Sequence, residues 1–120
     1  MRKKIGNYEG EDLYLFVGNY ANNKRLYLEL LTDEDEDYAN VSINLPDIGI
    51  AESYVYLSNE IDDNLKQFLI DNKVISDTIV MMKYNHGEYR MVKWNKNTIK
   101  ELDPEGYAMY QKEIQSYKEL

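Results

Sequence analysis

Asp12-Leu13-Tyr14-Leu15-Phe16-Val17 places Leu13, Leu15 and Val17 on one face and Tyr14 and Phe16 on the other, the period of two that a strand imposes. Gly18-Asn19-Tyr20-Ala21-Asn22-Asn23 follows as a turn. From Arg25 to Leu31 the alternation resumes, with Leu26, Leu28 and Leu30 opposed to Tyr27 and Glu29. Two such runs around a turn predict an antiparallel hairpin with one leucine-rich face, and the rest of the chain has to cover that face.

Downstream, Tyr38 to Leu45 alternates Ala39, Val41 and Ile43 inward against Tyr38, Asn40, Ser42 and Asn44, and Pro46 ends the run. Ser53 to Leu57 opposes Val55 and Leu57 to Tyr54 and Tyr56, which extends the hairpin to a four-strand meander. The period then changes: Ile61, Leu65, Phe68 and Leu69 have helical spacing, with Asn59 as the expected N-cap and Glu60, Asp62 and Asp63 near the positive end. Thr78 to Tyr84 and Glu88 to Trp94 read as a second hairpin around Asn85-His86-Gly87, with Gly87 offered for a positive φ. A short helical turn from Thr98 to Leu102 has Asn97 as its expected cap. Asp103-Pro104 starts a C-terminal helix whose stripe of Tyr107, Tyr110, Ile114 and Tyr117 either docks or binds a partner.

The sequence shows no internal repeat and no dividing linker. The expectation is one α+β domain over residues 1–120: a mostly antiparallel sheet of about five to six strands, one central helix, and a C-terminal helix packed on it. A chain of 120 residues buries roughly two-thirds of its unfolded surface, enough for one core.

Cysteine is absent, which excludes disulfides and thiolate metal sites and favours a reducing compartment. Met1-Arg2-Lys3-Lys4 leads into Ile5-Gly6-Asn7-Tyr8-Glu9 rather than an apolar run, and no stretch approaches the ~18 consecutive apolar residues of a spanning helix. A cytoplasmic protein with no membrane role is therefore expected.

The net charge of −8 is unevenly placed: residues 26–65 hold 11 acidic side chains and no basic one, while the flanks are slightly positive. Such a field repels phosphate backbones and attracts basic surfaces. It argues against direct nucleic-acid binding and allows a protein partner that itself has a basic nucleic-acid-binding surface.

Motifs for chemistry fail on their spacing. Asp33, Asp35 and Asp37 mimic the start of a calcium loop, but Tyr38 stands where glycine is needed and Asn44 where a bidentate glutamate is needed. His86, the sole histidine, sits in a turn, so no histidine metal cluster is available. The six glycines form no phosphate loop. Lys83, Arg90, Lys93 and Lys96 interleave with Tyr84, Tyr89 and Trp94 in a composition that could stack on single-stranded bases or simply line a wet hairpin face. No enzyme, cofactor or metal is expected.

Twelve tyrosines exceed the needs of one small core, and tyrosine is enriched at binding hot spots. Tyr14, Tyr27, Tyr54 and Tyr56 each lie opposite the better hydrophobic face of their strand. With Asp33, Glu34, Asp35, Glu36 and Asp37, Tyr27, Tyr54 and Tyr56 form the expected partner-binding set.

The run from Val17 to Leu30, followed by Tyr38 to Leu45 and by Asn59 ahead of the helix, resembles an uncharacterised family of small proteins carried by phages, plasmids and conjugative elements of bacteria. The resemblance covers roughly residues 12–78. Ser58 stands where the pattern has an acid, and the Tyr-rich C-terminal helix lies outside it. The resemblance implies a setting in which short acidic proteins inhibit host defence nucleases, in the manner of anti-CRISPR or anti-restriction proteins. The alternative is an accessory or structural protein that self-associates through its C-terminal helix or a strand edge.

Overall fold

The structure, a computed structural model, describes residues 1–119. β2 (Glu11–Asn19) and β3 (Leu26–Leu31) form the expected hairpin, pairing Leu15 with Leu30 and Val17 with Leu28. An unforeseen strand, β1 (Lys4–Tyr8), joins β2 through Glu9 and Gly10. Their φ angles of 49° and 88° suit a tight two-residue hairpin turn, and glycine holds the second without strain. β4 (Asp37–Asn40) completes a sheet of order β1-β2-β3-β4.

The run Tyr38 to Leu45, one strand by its alternation, divides at Val41. β5 (Ser42–Ile43) belongs to a second sheet of order β5-β6-β8-β7, with β6 (Tyr54–Leu57), β7 (Val80–Tyr84) and β8 (Gly87–Lys93). Val41 N–H donates to Leu28 O at 2.9 Å in the first sheet, while its carbonyl accepts from Ser58 N–H at 2.8 Å beside the second. The meander thus crosses from one sheet to the other at a single fully buried residue. Buried Ser42 secures the crossing: its hydroxyl oxygen accepts from Leu28 N–H and bonds the Tyr20 hydroxyl, both at 2.9 Å. All strand pairs are antiparallel. The α+β class is as read, with the strands shared between two sheets of four.

Three helices complete the fold. α1 (Asp63–Asp71) is capped by Asp62, whose Oδ1 accepts from Leu65 N–H at 2.8 Å, and not by Asn59. The segment before it turns once, Ile61 N–H donating to Ser58 O, and this postpones the helix by three residues. α2 (Lys96–Leu102) is capped by Asn95 rather than Asn97. α3 (Pro104–Lys118) begins where expected, with Asp103 as cap. Of its stripe, Tyr107 and Tyr110 are buried, Ile114 is half-buried and Tyr117 is exposed, so the helix docks through its first half. In the β7–β8 turn the left-handed residue is Asn85, φ 55°, and not Gly87.

The core is the leucine face of the first sheet, Leu13, Leu15, Val17, Leu28 and Leu30, joined by Val55, Leu57 and Val92 of the second. Leu65, Leu69, Ile99, Leu102, Tyr107 and Tyr110 bring the helices onto the same cluster.

Candidate partner-binding face

With the helices recruited to the leucine side, the opposite side chains of the first sheet stay half-exposed: Tyr14 and Phe16 on β2, Tyr27 and Glu29 on β3, Asn40 on β4. Register sets Phe16 beside Glu29 and Glu29 beside Asn40. Phe16 and Tyr27 meet edge to face, centroids 5.9 Å apart, and Tyr20 meets Tyr27 in the same manner at 5.2 Å. Gly18 makes the first contact possible, since a Cβ there would lie 3.1 Å from the Phe16 ring.

Acids surround this aromatic cluster. The Tyr27 hydroxyl lies 2.9 Å from Glu29 Oε1 and 3.2 Å from Asn40 Oδ1. Glu60 accepts from the Asn40 backbone N–H and from its side-chain amide, at 3.2 and 3.0 Å. The β3–β4 loop and the first residue of β4 then add Asp33, Glu34, Asp35, Glu36 and Asp37, all exposed. Thr32 organises it by accepting from Glu34 and Glu36 N–H, and Asp35 turns it at φ 60°. Of the five acids, only Asp35 has an ion pair among the described residues, with Arg2 at 3.7 Å. The Arg2 guanidinium also lies 5.4 Å over Phe16, a cation–π contact.

Burial lifts the Glu29 carboxyl above its ordinary value; the Tyr27 hydrogen bond opposes this, and Asp37 and Glu60 reinforce it. Burial, then the bond to Glu29 and its charge, likewise push Tyr27 upward.

Folding therefore favours protonated Glu29. Its contribution is intact below the unfolded value and is lost as pH rises through the folded one. Glu29→Gln keeps an acceptor for Tyr27 and is expected to raise the thermal midpoint at about pH 7, with the gain shrinking toward about pH 4. A lower midpoint at neutral pH would contradict the assignment.

Of the tyrosines expected to contact a partner, Tyr27 lies on this face, near Glu29 and Asp37. Tyr54 and Tyr56 lie elsewhere. Tyr56 is 2% exposed and therefore offers no contact surface: the segment 46–53 folds back on it, and its hydroxyl donates to Gly49 O at 3.2 Å. Tyr54 is half-buried in a cleft of about 50 Å³ that Arg25, Glu52 and Tyr110 also line. Phe16, Tyr20, Glu29 and Glu60 were missed as members of the face. The signal for Phe16 and Glu29 was their shared side of the first hairpin.

The basic-aromatic run does not form one exposed face. Trp94 is buried, and Arg90 is held by Asp63 and by the Ile61 carbonyl, so neither is free to stack on a base. Among the described residues no three His, Cys, Asp or Glu side chains converge as a metal site, and no helix is long and apolar enough to cross a membrane.

No curated protein and no solved structure matches the chain. A family model does match, over residues 14–114, from the start of the aromatic-acidic face to the docked part of α3. The chain belongs to that family, described as Domain of unknown function (DUF4313).

Proposed function

We propose that this is a non-enzymatic, cytoplasmic protein of a bacterial mobile element that binds a host defence nuclease and inhibits it by covering its basic nucleic-acid groove. The observation that supports this reading is the continuity of the Phe16–Tyr27 cluster with Glu29, Glu60 and the five exposed loop acids. Aromatic rings supply buried contact area, and the acids steer and orient a basic partner.

The test uses a nuclease captured from host lysate and then purified. Its affinity is measured for the wild-type chain and for the variant Asp33→Asn, Glu34→Gln, Asp35→Asn, Glu36→Gln, Asp37→Asn. At ~0.5 kcal/mol per exposed pair, the five together are expected to weaken binding by roughly 50- to 100-fold and to remove most of its salt dependence. Unchanged affinity would sink the acidic mechanism.

Self-association as an accessory protein is a second reading, favoured by the edge of the second sheet. There Ile79, Val80 and Met81 are 53%, 43% and 49% exposed, on and beside a strand with a free side. Sedimentation showing only monomer at high concentration would exclude it.

A further inference from the structure

A concavity apart from the Tyr54 cleft shares no residue with the acidic face. Its volume is about 520 Å³, within the range of small-molecule sites. It lies where the end of α1 and the following segment meet the corner between β8 and α2, a corner fixed by the Ile75–Trp94 bridge and by Asn95 N–H donating to Val74 O. Ile70, Ile75 and Trp94 give it an apolar part, and Lys73, Lys93 and Lys96 supply the charge.

No acidic side chain lines it, and none of the three lysines has an ion pair among the described residues. Lys73 holds the left-handed position after α1, φ 61°, which glycine would occupy without strain. A further donor is at hand: Asn95 uses Oδ1 to cap Thr98 N–H, which leaves its amide N–H groups, and Ser53 also lines the concavity.

We infer that this concavity binds a small organic phosphate with two or more phosphoryl groups, of nucleotide size. Lysine ammonium groups act as point charges toward phosphate oxygens, and the apolar part accommodates the organic moiety. The overall negative charge does not exclude an anion here, because no acidic side chain is among the residues that line the concavity.

The test titrates the full chain calorimetrically with ATP and, as the phosphate-only probe, with inorganic tripolyphosphate, while the Trp94 indole N–H is followed by NMR. One saturable site is expected for both, with ATP the tighter. The variant Lys93→Gln, Lys96→Gln should weaken each at least tenfold, and the charge-matched control Lys83→Gln, Lys112→Gln should change affinity less than twofold. Absence of saturation with both probes, or equal losses in the two variants, overturns the site. A single-stranded oligonucleotide binding at least a hundredfold more tightly than ATP would assign the lysines to a nucleic-acid backbone and overturn the small-molecule reading.

Discussion

Alanine at position 103 is expected to destabilise the fold by about 3–5 kcal/mol, the sum of a lost helix cap and a stranded buried donor, or roughly 10–20 °C in the thermal midpoint. Asp103 is 3% exposed and the only buried acid among the described residues. Oδ1 accepts from Gly106 N–H at 3.2 Å and starts α3, while Oδ2 accepts from Val17 N–H at 3.0 Å on β2. Arg2 stands 3.6 Å from the same carboxylate. Alanine removes the cap, leaves Val17 N–H without an acceptor, and leaves the Arg2 charge without its closer partner. Asn is expected to fall between, because one of its two terminal atoms must then present an N–H to a donor.

Gly106 belongs to the same joint. A Cβ there would lie 2.6 Å from Val17 O and would collide with Asp103 Oδ2. Helix propensity alone favours Gly106→Ala by about 1 kcal/mol, yet overpacking against backbone costs about 1–3 kcal/mol, and the strand backbone gives way less readily than a side chain. Net destabilisation by chemical denaturation is the expected result. Stability within about 1 kcal/mol of wild type for Asp103→Ala would mean that α3 is held by its tyrosines alone.

The second large effect is at Trp94. Its ring meets Tyr107 at 6.5 Å and Tyr110 at 6.0 Å, both edge-on, and its Nε1–H donates to Glu52 O at 2.6 Å. These contacts couple the second sheet to α3. Burial, with the nearby charge of Glu52, pushes the Tyr110 hydroxyl up to about 12, as suits a ring held away from water. Trp94→Ala should cost about 3–5 kcal/mol and erase the near-ultraviolet circular dichroism of this cluster. Trp94→Phe keeps most of the apolar volume and loses the bond to Glu52, so it should recover at least half of that loss. Equal losses for the two would assign the effect to the hydrogen bond instead of the packing.

Strand alternation made β2 and β3 legible, because each has one face in the core and one toward solvent; β7 has no buried residue, and its hairpin with β8 was legible from β-rich runs on either side of a turn. It could not show the division at Val41: a period of two continues unchanged whether a strand stays in one sheet or passes to another. β1 escaped because Arg2, Lys3 and Lys4 mask a short strand, although Glu9-Gly10 carried a hairpin signal. The cap of α1 was displaced since Asn59 and Asp62 are both good capping types, and only the turn at Ser58–Ile61 decides between them. Exposure of the loop acids followed from their charge. The burial of Tyr56 did not, because it depends on the return of segment 46–53, whose contacts lie outside any local pattern.

The crossing at Val41 has a mechanical consequence. A residue whose N–H is committed to one sheet and whose carbonyl is committed beside the other locks two registers against each other. A slip of one residue would turn the side chains on both sides of it the wrong way. Opening one sheet from the other at this point would have to break these two backbone bonds, and the Val41 backbone links β4 of the aromatic-acidic face directly to β5, the neighbour of β6.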